Sequence, residues 1–334
     1  MTPDEATLLA EANRINYRLR STFFYRKLKE YGTLALPPMV SQLFPVEHLY
    51  SWDDRNSWAI GEDAFAYVQG HPDLHLIQVF CHPKLLREHP RLLAYYRNIA
   101  ALSQKGVGYL AGVDVKKIES DKENRYSLTD DQAMKLASLF NEHISLIVDS
   151  SIQSLTSIEL RGILLSSTGA QIDGSWRNAI GEEAEKVVQR LLVKEAKTRN
   201  VLAALLPKTG PGVEVYDVAK IEAQLGQIEL YRGVMLTNGT SILFSSDPDV
   251  FLLDRSGSTT CAIEVKGGAD PAGALERYGA AKKSFEEARR TNPRVVTILV
   301  ASCITVEVRN RIQQDPLISL YFVTTQDGAW SGSG

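Results

Sequence analysis

No stretch of this 334-residue chain approaches the roughly 20 apolar residues that a membrane helix needs, and Met1-Thr2-Pro3-Asp4-Glu5 is acidic where a secretory leader is basic. A cytoplasmic location without membrane contact is the expectation. Cysteine is scarce: Cys81, Cys261 and Cys303 lie far apart, so reduced thiols in the core are expected rather than a disulfide framework. Histidine is scarce too, and the one local gathering, His71, His75, Cys81 and His82, has a spacing that fits no standard structural zinc site. Residues 74–80 read instead as a strand with incidental histidines. Excess positive charge is missing as well, since 37 Lys and Arg stand against 40 Asp and Glu for a formal charge of −3. That balance does not advertise a nucleic-acid binder, nor does it exclude one with a local basic surface. Repeats and low-complexity runs are absent, and 44% hydrophobic with 23% charged residues is ordinary globular composition, enough for two domains or one elaborated domain.

What is present centres on residues 247–268. Two apolar runs, 250–253 and 261–265, flank Ser256-Gly257 and read as strands joined by a tight hairpin. If Ser256 and Gly257 are the two loop residues, Arg255 faces Ser258 and Asp249 falls opposite Glu264. Directly opposed residues share a face with Cβ atoms roughly 4.5–5.5 Å apart. Side chains alternate along a strand, so Lys266 joins Glu264 while Ile263 and Val265 point into the core. Two carboxylates opposed on a sheet repel, and a divalent cation held by oxygen ligands relieves that cost. A carboxylate pair holding magnesium leaves positions for water and phosphate oxygens, with Lys266 beside the attacking water, the arrangement for phosphodiester hydrolysis.

Pro248-Asp249, fourteen residues, then Glu264-Val265-Lys266 resembles the signature of the PD-(D/E)xK nucleases. Within that superfamily the chain is similar to the XcyI-type type II restriction endonucleases, on Ser246-Asp247-Pro248-Asp249-Val250 followed by Glu264-Val265-Lys266-Gly267-Gly268. The resemblance implies an α/β (α+β) fold, a restriction-endonuclease-like mixed β-sheet flanked by helices, with a mostly helical N-terminal region. It implies magnesium-dependent double-strand cleavage of DNA at the palindrome CCCGGG by a homodimer, and a methyltransferase in the host that protects the same sites. Asp249 and Glu264, with the Val265 backbone carbonyl, would hold the metal, and Lys266 would serve the attacking water. Superfamily nucleases usually carry a further glutamate on the helix before the catalytic hairpin. Glu185, followed by Val188, Leu191 and Leu192, fits that pattern, with Glu182 and Glu183 as rivals.

Elsewhere, helical periodicity covers residues 4–31 up to Gly32, with Pro37-Pro38 opening an irregular connection. Residues 90–104 read as a helix whose Arg91, Tyr95, Tyr96 and Arg97 could face DNA, with the tyrosines packed in the core as the alternative. Residues 106–127 read as strand and charged loop. Thr129-Asp130-Asp131-Gln132 is a capping box opening a long helix. Residues 166–170, Ser-Ser-Thr-Gly-Ala, are the expected break between a mostly helical region, 1–168, serving DNA recognition or dimerisation, and a catalytic core, 169–327. A helix is expected over 178–194 and strands over 213–218, 228–235 and 241–244. After the motif, Asp270-Pro271 caps a helix to Arg290. Its Glu276, Arg277, Lys282 and Lys283 are candidate DNA contacts, or else solvated helix charge. A strand at 295–302, a helix at 306–315 and a strand at 317–324 follow, then a disordered tail at 328–334. The alternatives are a repair or structure-specific nuclease, and a non-catalytic DNA-binding or assembly protein of the same fold.

Overall fold

The computed structural model describes residues 3–121, 125–151, 154–209, 214–215 and 221–324. The chain forms two compact units, one of Ser21–Ser175 and one of Met1–Arg20 with Trp176–Gly334.

In the Ser21–Ser175 unit every regular element among the described residues is helical. Thr129 caps the Asp130–Ser150 helix by accepting from the Gln132 amide, and the Gln132 side chain answers to the Thr129 amide. Its buried stripe, Ala133, Leu136, Ala137, Phe140, Ile144 and Val148, lies in a core drawn from residues 36–164. Tyr95 and Tyr96 are core residues, their hydroxyls donating to the Gln78 and Ile77 carbonyls at 2.8 and 2.6 Å.

Local expectations are corrected in this unit. Residues 74–80 hold a short helix, Leu76–Val79, with Ile77 and Val79 buried. So short a run has no period long enough to separate helix from strand, and no strand lies among the described residues of the unit to pair with it. Residues 106–127 contain helices Gln104–Ala111 and Val115–Ser120 rather than a strand. Pro37 and Pro38 sit in the first turn of the Leu36–Ser41 helix, where a missing amide hydrogen costs nothing.

The expected break at 166–170 is also helix, inside the 42-residue Ser157–Thr198 helix. Its hydroxyls are satisfied without breaking the turn: Thr168 donates to the Leu164 carbonyl at 2.9 Å, and Ser167 donates to Asn98 Oδ1 at 3.1 Å.

The other unit is built on an eight-stranded sheet. Its strands are β1 (Leu202–Pro207), β2 (Glu214–Val215), β3 (Tyr231–Leu236), β4 (Ser241–Phe244), β5 (Val250–Leu253), β6 (Thr259–Lys266), β7 (Val296–Ala301) and β8 (Leu320–Val323). The order is β2-β1-β3-β4-β5-β6-β7-β8. Pairing is antiparallel from β2 to β6 and parallel from β6 to β8. Parallel neighbours need a crossover, which the Ala274–Thr291 and Val306–Gln314 helices supply. Each face of the sheet has its own core. Cys261, Ile263 and Val265 of β6 pack with Val188, Val193, Leu205 and Val234, whereas Ala262 packs with Tyr278, Ala281, Phe285 and Leu299. This is the α/β mixed sheet flanked by helices that the resemblance implied. Of the strand expected at 213–218 only 214–215 are described, and the tail expected at 328–334 lies outside the described residues.

Candidate active site

The hairpin between β5 and β6 brings the first acidic pair together by a route other than the one expected. Gly257 has φ +82°, its amide donates to the Asp254 carbonyl, and the Asp254 amide donates to the Ser258 carbonyl. The loop is therefore three residues long, Arg255 to Gly257, with glycine in the left-handed position that such loops require. Arg255 does not face Ser258. Leu253 pairs with Thr259 and Leu252 with Cys261, so Thr260 is an extra, bulged residue on β6. The longer loop shifts the register by one and the bulge shifts it back. Val250 then faces Ile263, which leaves Asp249 just before β5 and Glu264 next along β6.

Asp249 and Glu264 are 4% and 3% exposed, buried as acids almost never are without a partner. The Val265 amide donates to Asp249 Oδ2 at 2.6 Å, and Lys266 Nζ lies 3.1 Å from Glu264 Oε2 and 3.9 Å from Asp249 Oδ2. One ammonium thus serves two carboxylates. Burial first, and then the Glu264 side chain beside it, push the Asp249 carboxyl up to about 8. Ser284, in the Ala274–Thr291 helix, donates its hydroxyl to Glu264 Oε1 at 2.5 Å. The sequence reading missed this residue. Its signal was a hydroxyl in an otherwise apolar stripe of Ala274, Tyr278, Ala281, Phe285 and Ala288.

Gly267 ends β6 against the helix that carries the third acidic candidate. A Cβ there would stand 2.5 Å from Ala184 Cβ and 2.7 Å from the Ile180 carbonyl oxygen, so only glycine admits this helix so close. Glu185, one residue on, is half-buried. Its carboxyl is raised by that burial, lowered by Lys266, and raised again by Glu182 and Glu264. Of its rivals, Glu183 is exposed and pairs with Arg190 at 3.1 Å, and Glu182 is exposed. On the Ala274–Thr291 helix, Glu276 and Lys283 are exposed. Lys282 pairs with Asp315 at 3.2 Å, and the Arg277 guanidinium donates to the Asp270 carbonyl, packed against Gly268 and Gly273.

The residues gathered here suit a hard divalent cation. Among the described residues no group of three or more His, Cys, Asp or Glu is assembled for a metal. Magnesium, however, is commonly held through one or two carboxylates while keeping several waters, and Asp249 with Glu264 supplies two carboxyl groups beside the single lysine. The histidines and cysteine of residues 71–82 are occupied otherwise. His75 stacks on Phe44 at 3.8 Å and contacts Glu47 at 2.9 Å. His82 accepts the Lys84 amide on Nδ1 and directs Nε2 to the Ser51 carbonyl, while Cys81 is fully buried.

No curated protein is matched by the chain. A family model, described as XcyI restriction endonuclease, matches residues 75–209 and 213–324, a span that includes Glu185, Asp249, Glu264, Lys266 and all eight described strands. With most of its length matched, the chain belongs to the XcyI restriction endonuclease family of type II site-specific deoxyribonucleases.

Proposed function

We propose that this restriction endonuclease cuts both strands of DNA with magnesium at a PD-(D/E)xK site made of Asp249, Glu264 and Lys266, with Glu185 as the third carboxylate. The observation that carries the reading is the burial of two acids, one just before β5 and one in β6, within reach of one lysine. Asp249, Glu264 and the Val265 carbonyl would hold the cation, which when bound polarises the phosphate and lowers the pKa of a coordinated water. Lys266 donates to the attacking water or to the charge growing on phosphorus. Glu185 supplies negative charge beside Lys266 and Glu264, supported by its electrostatic interaction with both. Glu276, Arg277, Lys282 and Lys283 lie on the helix after β6, where arginine suits guanine edges and lysine suits phosphate.

The family resemblance supports CCCGGG as the target. A two-fold target calls for a homodimer with one isologous interface, working in the cytoplasm beside a methyltransferase that protects the host's own sites.

The test is digestion of a mixed-sequence plasmid with magnesium, followed by mapping of the fragment ends. Discrete fragments ending within CCCGGG are expected. Ends at another sequence reject the target, a smear points to a structure-specific nuclease, and uncut DNA with every divalent metal rejects the site. Lys266→Ala should reduce cleavage by roughly a thousandfold, the scale of losing a transition-state donor, while retaining affinity for duplex DNA.

A further inference from the structure

We propose that Ser284 is a positioning residue that presets the Glu264 carboxylate for a divalent cation, an inference that rests on the metal-binding role proposed above for Glu264. Ser284 is 6% exposed and sits on the face of the Ala274–Thr291 helix that packs on the sheet. The neighbours in that stripe, Tyr278, Ala281, Phe285 and Ala288, belong to one apolar core. A hydroxyl there loses its hydration, and serine is a poorer helix former than alanine. Local stability would favour alanine at this position.

A serine inside a helix commonly returns its proton to its own backbone one turn earlier, as Thr168 does to Leu164 in this chain. Ser284 instead donates to Glu264 Oε1 at 2.5 Å, across 20 residues of sequence and onto another element. Lys266 takes the other oxygen, Oε2, at 3.1 Å. A carboxylate held by one donor swings about its terminal torsion, which has broad minima. Held from β6 by the ammonium and from the helix by the hydroxyl, the Glu264 carboxylate has one orientation. With a cation bound, Ser284 would keep its hold on Oε1 and so on the plane of the carboxylate. Groups that orient metal-binding carboxylates in this way commonly contribute 10- to 100-fold to metal affinity or activity, on the order of magnitude seen for other outer partners.

The experiment measures Mn2+ binding to the full-length protein by electron paramagnetic resonance without DNA. In parallel it measures the Mg2+ concentration that half-saturates plasmid cleavage. Ser284→Ala should weaken Mn2+ binding by about tenfold and raise the Mg2+ midpoint to match, with an unchanged melting temperature. Ser284→Thr, which keeps the hydroxyl, should recover most of the affinity. If Ser284→Ala unfolds, Ser284→Cys, close in size and a weak donor, decides in its place. An alanine variant that binds Mn2+ as tightly as the wild type overturns the proposal, as does a threonine variant no better than alanine. Glu264→Gln separates the two readings. If it keeps Mn2+ binding and cleavage, the metal site itself is misassigned, whereas if it loses both while Ser284→Ala keeps both, Ser284 alone is.

Discussion

Asp249 shows how much a single buried charge can govern. Burial first, and Glu264 beside it, disfavour the anion and push its carboxyl up to about 8 in the folded chain, against about 3.9 for an unfolded aspartate. Between those values the folded state holds a proton that the unfolded state has released, so stability falls as pH rises across that window. Metal-free protein should therefore melt at progressively lower temperature from about pH 4 to about pH 8 by this group's contribution. Asp249→Asn should flatten that slope, and magnesium should raise the melting temperature of the wild type at the alkaline end far more than that of the variant. Scanning calorimetry across pH checks both. Arg97 is the opposite case, a buried charge fully answered. Its guanidinium meets Glu119 at 2.5 and 3.0 Å, the Leu102 carbonyl at 2.7 Å and Gln171 at 2.9 Å, with Arg97 2% exposed. Arg97→Ala strands Glu119 and should cost about 3–5 kcal/mol, read as a lower urea midpoint. Replacing both partners by apolar residues should cost much less, because no unpaired charge remains.

At the scale of elements, close approach decides what the site can contain. The Ser157–Thr198 helix reaches the end of β6 only because Gly267 has no side chain. Gly267→Ala must move Ala184 and Ile180 and should destabilise by about 1–3 kcal/mol in urea unfolding. Because Glu185 rides on the same turn, cleavage measured well below the melting temperature should drop more than the lost stability explains. Elements were legible where a pattern was long or capped. Thr129 to Gln132 marked the start of the Asp130–Ser150 helix, and the apolar run before Ser302 marked β7. They were misread where the pattern was short, as at Leu76–Val79, or where hydroxyls and a glycine imitated a break, as at residues 166–170. The hairpin is instructive in another way. Its loop is one residue longer than the two-residue turn implied by Ser256-Gly257, and the bulge at Thr260 cancels the difference, so the expected register is recovered from Leu252 to Val250 despite an error in the turn.

For the molecule as a whole, a formal charge of −3 coexists with membership of a DNA-cutting family. Affinity for duplex DNA should therefore come from local cations that release counterions, and should fall steeply between about 50 and about 200 mM salt, whatever the sequence bound. Filter-binding or fluorescence titrations at several salt concentrations give the slope, and a flat response would remove the phosphate-contacting role from the lysines and arginines. No helix of the described residues is long and apolar enough to cross a membrane. By itself the sequence determined that Asp249, Glu264 and Lys266 share a face, since strand alternation and a hairpin register are local rules that a short stretch obeys wherever it is placed. It also determined the run of helix, strand, helix and strand after the motif, because each of those elements carries its own period. Only the tertiary structure decided how deeply the acids are buried, that the Glu185 turn closes on Gly267, and that Ser284 turns from its own helix to Glu264. Those depend on which faces meet across dozens of residues, and no local period encodes that distance.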